Sequence, residues 1–232
     1  MHRTNILAAL FTILFPPVVI CQAPQKNFNP DSLTPGFFSG LKKEYGNKKQ
    51  YPPQFEKQIL IALSYYPELR NTPILFRTRP QHSAGFTRVT WAGLFEPPRK
   101  RHFLVVFSDS TEGMLMPLIF KNVSFNSQLG LIGHELAHVA DFLTKTTLQI
   151  IKHAVSNVSV KYIDKFEYNT DAICIAHGLG YQLLEWSSYV RKKMHTVNWD
   201  GPDYVHRPMK RERYMNPPTI IKKINETPLY QQ

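Results

Sequence analysis

The sequence predicts an α+β fold. Short apolar runs rich in β-branched and aromatic residues fill the first half of the chain, and apolar residues at helical spacing fill much of the second half. The composition, with 43% hydrophobic and 19% charged residues, is typical of a globular protein and excludes a disordered chain or a coiled-coil rod. We therefore expect a small mixed or antiparallel sheet packed on a central helix, with further helices after it.

The elements follow from local patterns in chain order. A first helix opens at Pro52-Pro53 and ends before Pro67, with apolar residues at helical spacing between them. Runs separated by proline and glycine predict strands within residues 74–76, 86–95 and 103–107. Helical periodicity then returns in residues 127–142, 147–155 and 160–177. A short last helix is expected after Asn216-Pro217.

Composition along the chain predicts four segments. Residues 22–50 mix proline, glycine, asparagine and lysine without periodicity, which is typical of an exposed, flexible leader. Residues from 191 onward are basic and contain several prolines. The predicted segments are a signal peptide (1–21), the leader (22–50), a folded domain (51–190) and a basic C-terminal extension (191–232).

The N-terminus predicts export. A short basic start is followed by an uncharged apolar run at residues 6–15, which is typical of a secretory signal peptide cleaved here after Cys21. A membrane anchor is the weaker interpretation, because the run is short and Pro16 and Pro17 interrupt it. Acylation of Cys21 would favour a small residue before it, where the chain has Ile20. We expect a secreted or periplasmic protein without a transmembrane span in the mature chain.

The net charge of +11 predicts a surface that favours anionic surroundings. Export and the absence of nucleic-acid-binding motifs argue against a genome as the partner and leave anionic envelope polymers as candidates. The two cysteines, Cys21 and Cys174, exclude a disulfide framework and a cysteine-based zinc knuckle. Cys174 is expected to be a buried apolar residue.

The strongest chemical signal is the motif H-E-x-x-H formed by His134, Glu135 and His138. Residues four apart on a helix share one face, so the two imidazoles can bind the same metal ion. Imidazole suits Zn²⁺, and a zinc held by three protein ligands keeps a fourth position for a water of lowered pKa. Glu135 is then the candidate base that takes a proton from that water.

A third ligand is expected downstream. Glu167 and Asp171 are four apart on a predicted helix, so Glu167 can reach the metal while Asp171 accepts the outer N–H of a histidine ligand. Asp141, one turn after His138, and His153, on the next helix, are alternative third ligands.

The combination of H-E-x-x-H with a downstream E-x-x-x-D resembles the gluzincin metallopeptidases, and the size of the chain resembles their small single-domain members. The resemblance implies a zincin-like fold, His134, His138 and Glu167 as zinc ligands, Glu135 as base and Asp171 as the orienting partner. It also implies that the strand at 103–107 supplies the edge along which a substrate lies. The metzincins differ, because Asp141 and Thr144 stand where that family has glycine and histidine.

A peptidase of this kind also needs a hydrogen-bond donor for the developing oxyanion, normally a histidine or tyrosine from the C-terminal part. Tyr204 and His206 are the preferred candidates, and His195 and Tyr181 are the others. The sequence therefore predicts an exported zinc metallopeptidase that acts on peptide or protein substrates. The alternative is an exported, non-catalytic zinc-containing module that binds anionic envelope polymers, for which a closed four-ligand zinc site would be expected.

Overall fold

The computed structural model describes residues 22–202 and 211–231. The predicted signal peptide with Cys21 lies outside this part, as do Tyr204 and His206. The helices are α1 (Pro35–Tyr45), α2 (Glu56–Ser64), α3 (Phe125–Leu143), α4 (Thr147–Ser156), α5 (Val160–Ala176), α6 (Gly180–Lys193) and α7 (Pro217–Glu226). The strands are β1 (Lys49–Gln50), β2 (Ile74–Arg79), β3 (Gly85–Val89) and β4 (Phe103–Ser108). The mixed α+β class is confirmed.

The four strands form one mixed sheet in the order β1-β2-β4-β3. The pairs β1/β2 and β2/β4 are parallel, whereas β3 runs antiparallel to β4. All six residues of β4 are buried, as expected for a strand with a neighbour on each side. The expectation that the strand at 103–107 forms the edge is therefore wrong, because β3 occupies that edge and packs on α3.

Helix α3 is the centre of the molecule. It begins at the N-cap Ser124, whose side chain accepts a hydrogen bond from the backbone N–H of Ser127, and it packs against α2, α5, α6 and β3. Gly130 lets α6 approach closely, since a Cβ at this position would lie 2.2 Å from the backbone oxygen of Gln182. Almost every residue of α3 is buried, so any polar group on it needs a partner inside the protein.

The helices predicted at 127–142, 147–155 and 160–177 are confirmed as α3, α4 and α5, and the short helix after Asn216 is confirmed as α7. Helix α6 was not predicted. Glycine often ends a helix, but here Gly180 is the first residue of one. Cys174 is buried and free, as expected. In the described part of the chain, no helix combines the length and apolarity needed to cross a bilayer.

Residues 22–50 belong to the folded domain, and the prediction of an exposed leader is wrong. They contain α1 and β1, and Phe28 is 3% exposed in the main core. The side-chain amide of Asn126 on α3 forms two hydrogen bonds with the backbone of Phe28. Its Oδ1 accepts from the N–H at 2.9 Å, and its Nδ2 donates to the carbonyl at 3.1 Å. These long-range contacts attach the segment to the central helix.

The basic C-terminal extension predicted from residue 191 onward is likewise part of the domain. Helix α6 continues to Lys193, and Ile220 and Ile224 of α7 pack in the main core. Arg191 is buried, and its guanidinium donates to backbone carbonyls of the segment before α7. At least one basic residue of this region therefore stabilises the fold from a buried position.

We expect Phe28→Ala to lower the free energy of unfolding by about 3 kcal/mol, because it removes a buried ring and leaves a cavity. Phe37→Ala is the matched control from the same segment, and since Phe37 is 36% exposed it should cost less than about 1 kcal/mol. Urea unfolding followed by circular dichroism measures both. Equal effects of the two substitutions would contradict the burial of this segment in the core.

Candidate metal centre

Two imidazoles project from one face of α3. His134 and His138 are each 6% exposed, their ring centroids lie 4.8 Å apart and their planes are nearly perpendicular at 89°. The helical spacing of four residues produces this arrangement, because residues one turn apart share a face. Both rings point toward α5, which packs across α3.

Helix α5 supplies a carboxylate at the point where the two imidazoles meet. Glu167 Oε2 lies 3.1 Å from His134 Nε2 and 3.3 Å from His138 Nε2. The three ligand atoms lie within 4.8 Å of one another, so this buried cluster could hold a metal ion. Among the described residues, it is the one group of three or more His, Cys, Asp or Glu side chains with that geometry.

The two alternative third ligands lie elsewhere. Asp141 forms an ion pair with Lys145, which lies just after the end of α3. His153 is buried against Phe166, with ring centroids 4.1 Å apart, and its Nδ1 lies 3.0 Å from the hydroxyl of Tyr162. Neither residue belongs to the cluster that could hold a metal ion.

Outer partners fix the orientation of both rings. Asp171 Oδ1 lies 2.8 Å from His134 Nδ1. Thr170 Oγ1 lies 3.2 Å from His138 Nδ1, and its own hydroxyl donates to the carbonyl of Phe166 at 3.0 Å. Because both outer partners accept, each Nδ1 is assigned its proton, and each Nε2 is the atom available to bind a metal ion.

The cluster is strongly coupled electrostatically. Burial alone would lower the pKa of His134, but the hydrogen bonds and charges of Asp171 and Glu167 raise it well above its usual value. Burial alone would raise the pKa of Glu167, but the neighbouring charges of His138 and His134 and their hydrogen bonds hold it far below its usual range. A cation at this point, whether a proton or a metal ion, is therefore favoured by the surrounding carboxylates.

Glu135 lies beside the cluster but is not a member of it. Its carboxylate is 3% exposed and accepts a hydrogen bond of 2.7 Å from the hydroxyl of Thr87 on β3. Burial raises the pKa of Glu135 above its usual value. Gly85 makes room for this carboxylate, because a Cβ there would lie 2.8 Å from Glu135 Oε1. The edge strand and the motif helix thus hold Glu135 between them.

A tyrosine that sequence reasoning missed lies next to the cluster. The ring centroids of Tyr214 and His134 lie 5.7 Å apart. The pKa of the Tyr214 phenol is raised well above its usual value, mainly by burial and in addition by the negative charge of Glu167. Its position in the C-terminal part was the one available signal. Of the predicted donors, Tyr181 packs edge-on against Tyr230, and His195 is exposed with a positive φ of 49°.

Two buried arginines hold the segment that carries Tyr214. Arg191 Nη2 donates to the carbonyls of Tyr214 at 3.0 Å and Met215 at 3.2 Å. Arg213 Nε donates to Asp164 of α5 at 2.9 Å. Tyr214 is therefore fixed from α5 and α6 together, although it lies outside any helix.

A cavity of about 70 Å³ opens beside His134 and Glu135. Its walls are mainly apolar and include Leu131, Leu183, Trp186, Val190 and Trp199. Tyr214 and Gly85 line the same cavity, so it connects the cluster with the edge strand. A small apolar side chain is the kind of group that fits such a space.

Comparisons of the chain with protein-family models, with curated proteins and with solved structures return no match. Fold and site by themselves define a mixed α+β protein with a buried His134–His138–Glu167 cluster that could hold a metal ion.

We expect His138→Ala to weaken metal binding by at least about 100-fold, because it removes one ligand and leaves Glu167 with a single imidazole. His153→Ala removes a histidine that is also buried, 8% exposed, but outside the cluster, so it should still bind one equivalent. Isothermal titration with Zn²⁺ and Co²⁺ measures both affinities. Loss of binding in His153→Ala with retention in His138→Ala would overturn the assignment of the cluster.

Proposed function

We propose that the protein is an exported zinc-dependent metallopeptidase of the gluzincin type with a zincin-like fold. The observation that carries the proposal is the convergence of His134, His138 and Glu167 on one point, with Glu135 adjacent to that point and outside the ligand set. Glu135 is not one of the candidate metal ligands, so metal binding does not explain its position. Peptide hydrolysis does explain it, because that reaction requires a base beside the metal site.

The donor set fits zinc. Two imidazole nitrogens and one carboxylate oxygen are the ligands of many catalytic zinc sites, in which the fourth position stays open. Bound zinc would supply Lewis acidity that polarises a peptide carbonyl and lowers the pKa of water in that open position. His134 Nε2, His138 Nε2 and Glu167 Oε2, which lie close together, are the atoms that would hold the ion.

The protein side chains would then perform the proton transfers and the positioning. Glu135 takes a proton from the attacking water and delivers it to the leaving amine. Thr87 holds the carboxylate in place through its hydrogen bond. Tyr214, whose phenol keeps its proton because its pKa is raised, donates to the oxyanion that develops on the attacked carbonyl.

The substrate would lie along β3. In the antiparallel pair with β4, the hydrogen bonds from Ser108 N to Ala84 O and from Thr90 N to His102 O set the alternation of the ladder. The backbone groups of Gly85, Thr87 and Val89 therefore point to the free edge. In the described part of the chain, no strand pairs with that edge. An extended peptide bound there would pass directly beside Glu135.

The rival function, a non-catalytic zinc module that binds anionic envelope polymers, predicts a closed site with four protein ligands. The described residues offer three ligands at the cluster, which favours the enzyme. The proposal keeps the predicted signal peptide, and with it a secreted or periplasmic location, as expectations from the sequence.

We expect Glu135→Gln to reduce peptide hydrolysis by about 10²–10⁴-fold, since it removes the base while it keeps the shape and hydrogen bonding of the side chain. Zinc content should remain near one equivalent. The assay is cleavage of a broad peptide library by the purified mature chain, read by mass spectrometry. Stoichiometric zinc with an intact library for the wild type, and a Glu135→Gln variant that matches it in polymer binding, would favour the rival function.

Tyr214→Phe should lower kcat by about 10²–10³-fold with little change in KM, because the phenol donates mainly to charge that develops in the transition state. Tyr204→Phe and His206→Ala are the comparison variants, since the sequence favoured those residues for the same role. Steady-state kinetics on one cleaved peptide decides between them. A larger loss of kcat in either comparison variant would show that Tyr214 is not the donor.

A further inference from the structure

An open apolar groove runs between β3 and α4, next to the metal centre. It measures about 530 Å³ and is called the α4 groove here. Its walls are formed by the chain from β3 to Leu94 and by α4, and it includes Val89, Trp91, Ile151 and Val155. Among the described residues, Arg88 is the one Lys, Arg, Asp or Glu residue that lines it.

The walls of the α4 groove expose apolar surface that a stable fold does not require. Trp91 is 75% exposed, Val155 67% and Ile151 49%. Such residues occur singly on most proteins, but here they face one groove whose floor includes the buried Val89 and Ile150. A contiguous apolar surface of this kind marks a binding region.

The α4 groove is continuous with the proposed active site. Thr87 lines the groove and also donates its hydroxyl to Glu135. The free backbone groups of Thr87 and Val89 lead from Glu135 along the edge strand into the groove. A chain that pairs with this edge is therefore led into apolar surroundings.

We propose that the α4 groove binds an apolar segment of the peptide substrate, several residues to one side of the cleaved bond, in extended conformation. This inference rests on the proposed function. Main-chain pairing with β3 would align the peptide, and leucine, valine or aromatic side chains at alternate positions would fill the space between Trp91 and Ile151. The scarcity of charged residues in the groove selects an apolar peptide over an anionic polymer.

The test measures binding without catalysis. A fluorescein-labelled decapeptide with leucine or phenylalanine at alternate positions is titrated with the metal-free protein and followed by anisotropy. A second decapeptide carries serine at those positions. We expect the apolar peptide to bind at least about tenfold more tightly than the serine peptide, and Ile151→Glu to remove that difference.

Leu148→Glu is the matched control. Leu148 is on the same helix and 76% exposed but does not line the α4 groove, so its substitution should leave the affinity within about twofold. Trp91→Ala tests the opposite wall and should weaken binding as Ile151→Glu does. Circular dichroism verifies that each variant is folded. Equal weakening by Leu148→Glu and Ile151→Glu, or equal binding of the two peptides, would overturn the inference.

Cleavage of a peptide library by the zinc-loaded protein separates this inference from the proposed function. If the α4 groove binds the apolar peptide as described but the library stays intact, the inference about the groove is supported and the proposed peptidase function is contradicted. If the library is cleaved and Ile151→Glu retains the residue preference of the wild type, hydrolysis stands and the docking inference is wrong.

Discussion

The carboxylate of Asp171 joins the parts of this molecule that have to act together. One oxygen lies 2.8 Å from His134 Nδ1, and the other accepts the backbone N–H of Met215 at 2.7 Å. Because Asp171 is only 2% exposed, its charge would be costly without both partners. The same carboxylate therefore orients a candidate metal ligand and anchors the segment that brings Tyr214 to it. The two hydrogen bonds make the geometry of the cluster dependent on the packing of the C-terminal segment.

The polar face of α3 explains why the cluster favours a cation. Apolar residues of this helix fill the main core, while His134, Glu135 and His138 are buried on the side that meets α5 and β3. Despite its burial, the pKa of His134 is raised well above its usual value by the hydrogen bonds and charges of Asp171 and Glu167, so this imidazole readily carries a proton when no metal ion is bound. A divalent ion held by Nε2 of each ring would replace the proton on His134. Metal binding should thus be weaker in acid, where protons compete for the same nitrogen atoms.

The sequence predicted what depends on local spacing. The H-E-x-x-H and E-x-x-x-D patterns place side chains on single helix faces, and α3, α4 and α5 follow from periodicity. Tyr214 could not be predicted this way, because Arg191 and Asp171, distant in sequence, bring it to the site. Strand order was missed for the same reason, since pairing is non-local. For residues 22–50 a local signal existed in the Thr34 cap before Pro35, but weak periodicity concealed α1.

The position of β3 supports the proposed chemistry in a way that the H-E-x-x-H motif alone does not, because it places a free strand edge beside Glu135. An antiparallel edge strand leaves alternate backbone groups free, and the absence of a side chain at Gly85 lets that strand lie against the carboxylate of Glu135. The cavity beside His134 lies at the Gly85 end of β3, and the α4 groove begins at Thr87 and continues past Val89. A single extended chain along β3 would therefore meet apolar surface at both ends of the strand, with Glu135 between them. This arrangement favours a chain that continues in both directions from the reacting bond over a single amino acid or a short terminal fragment.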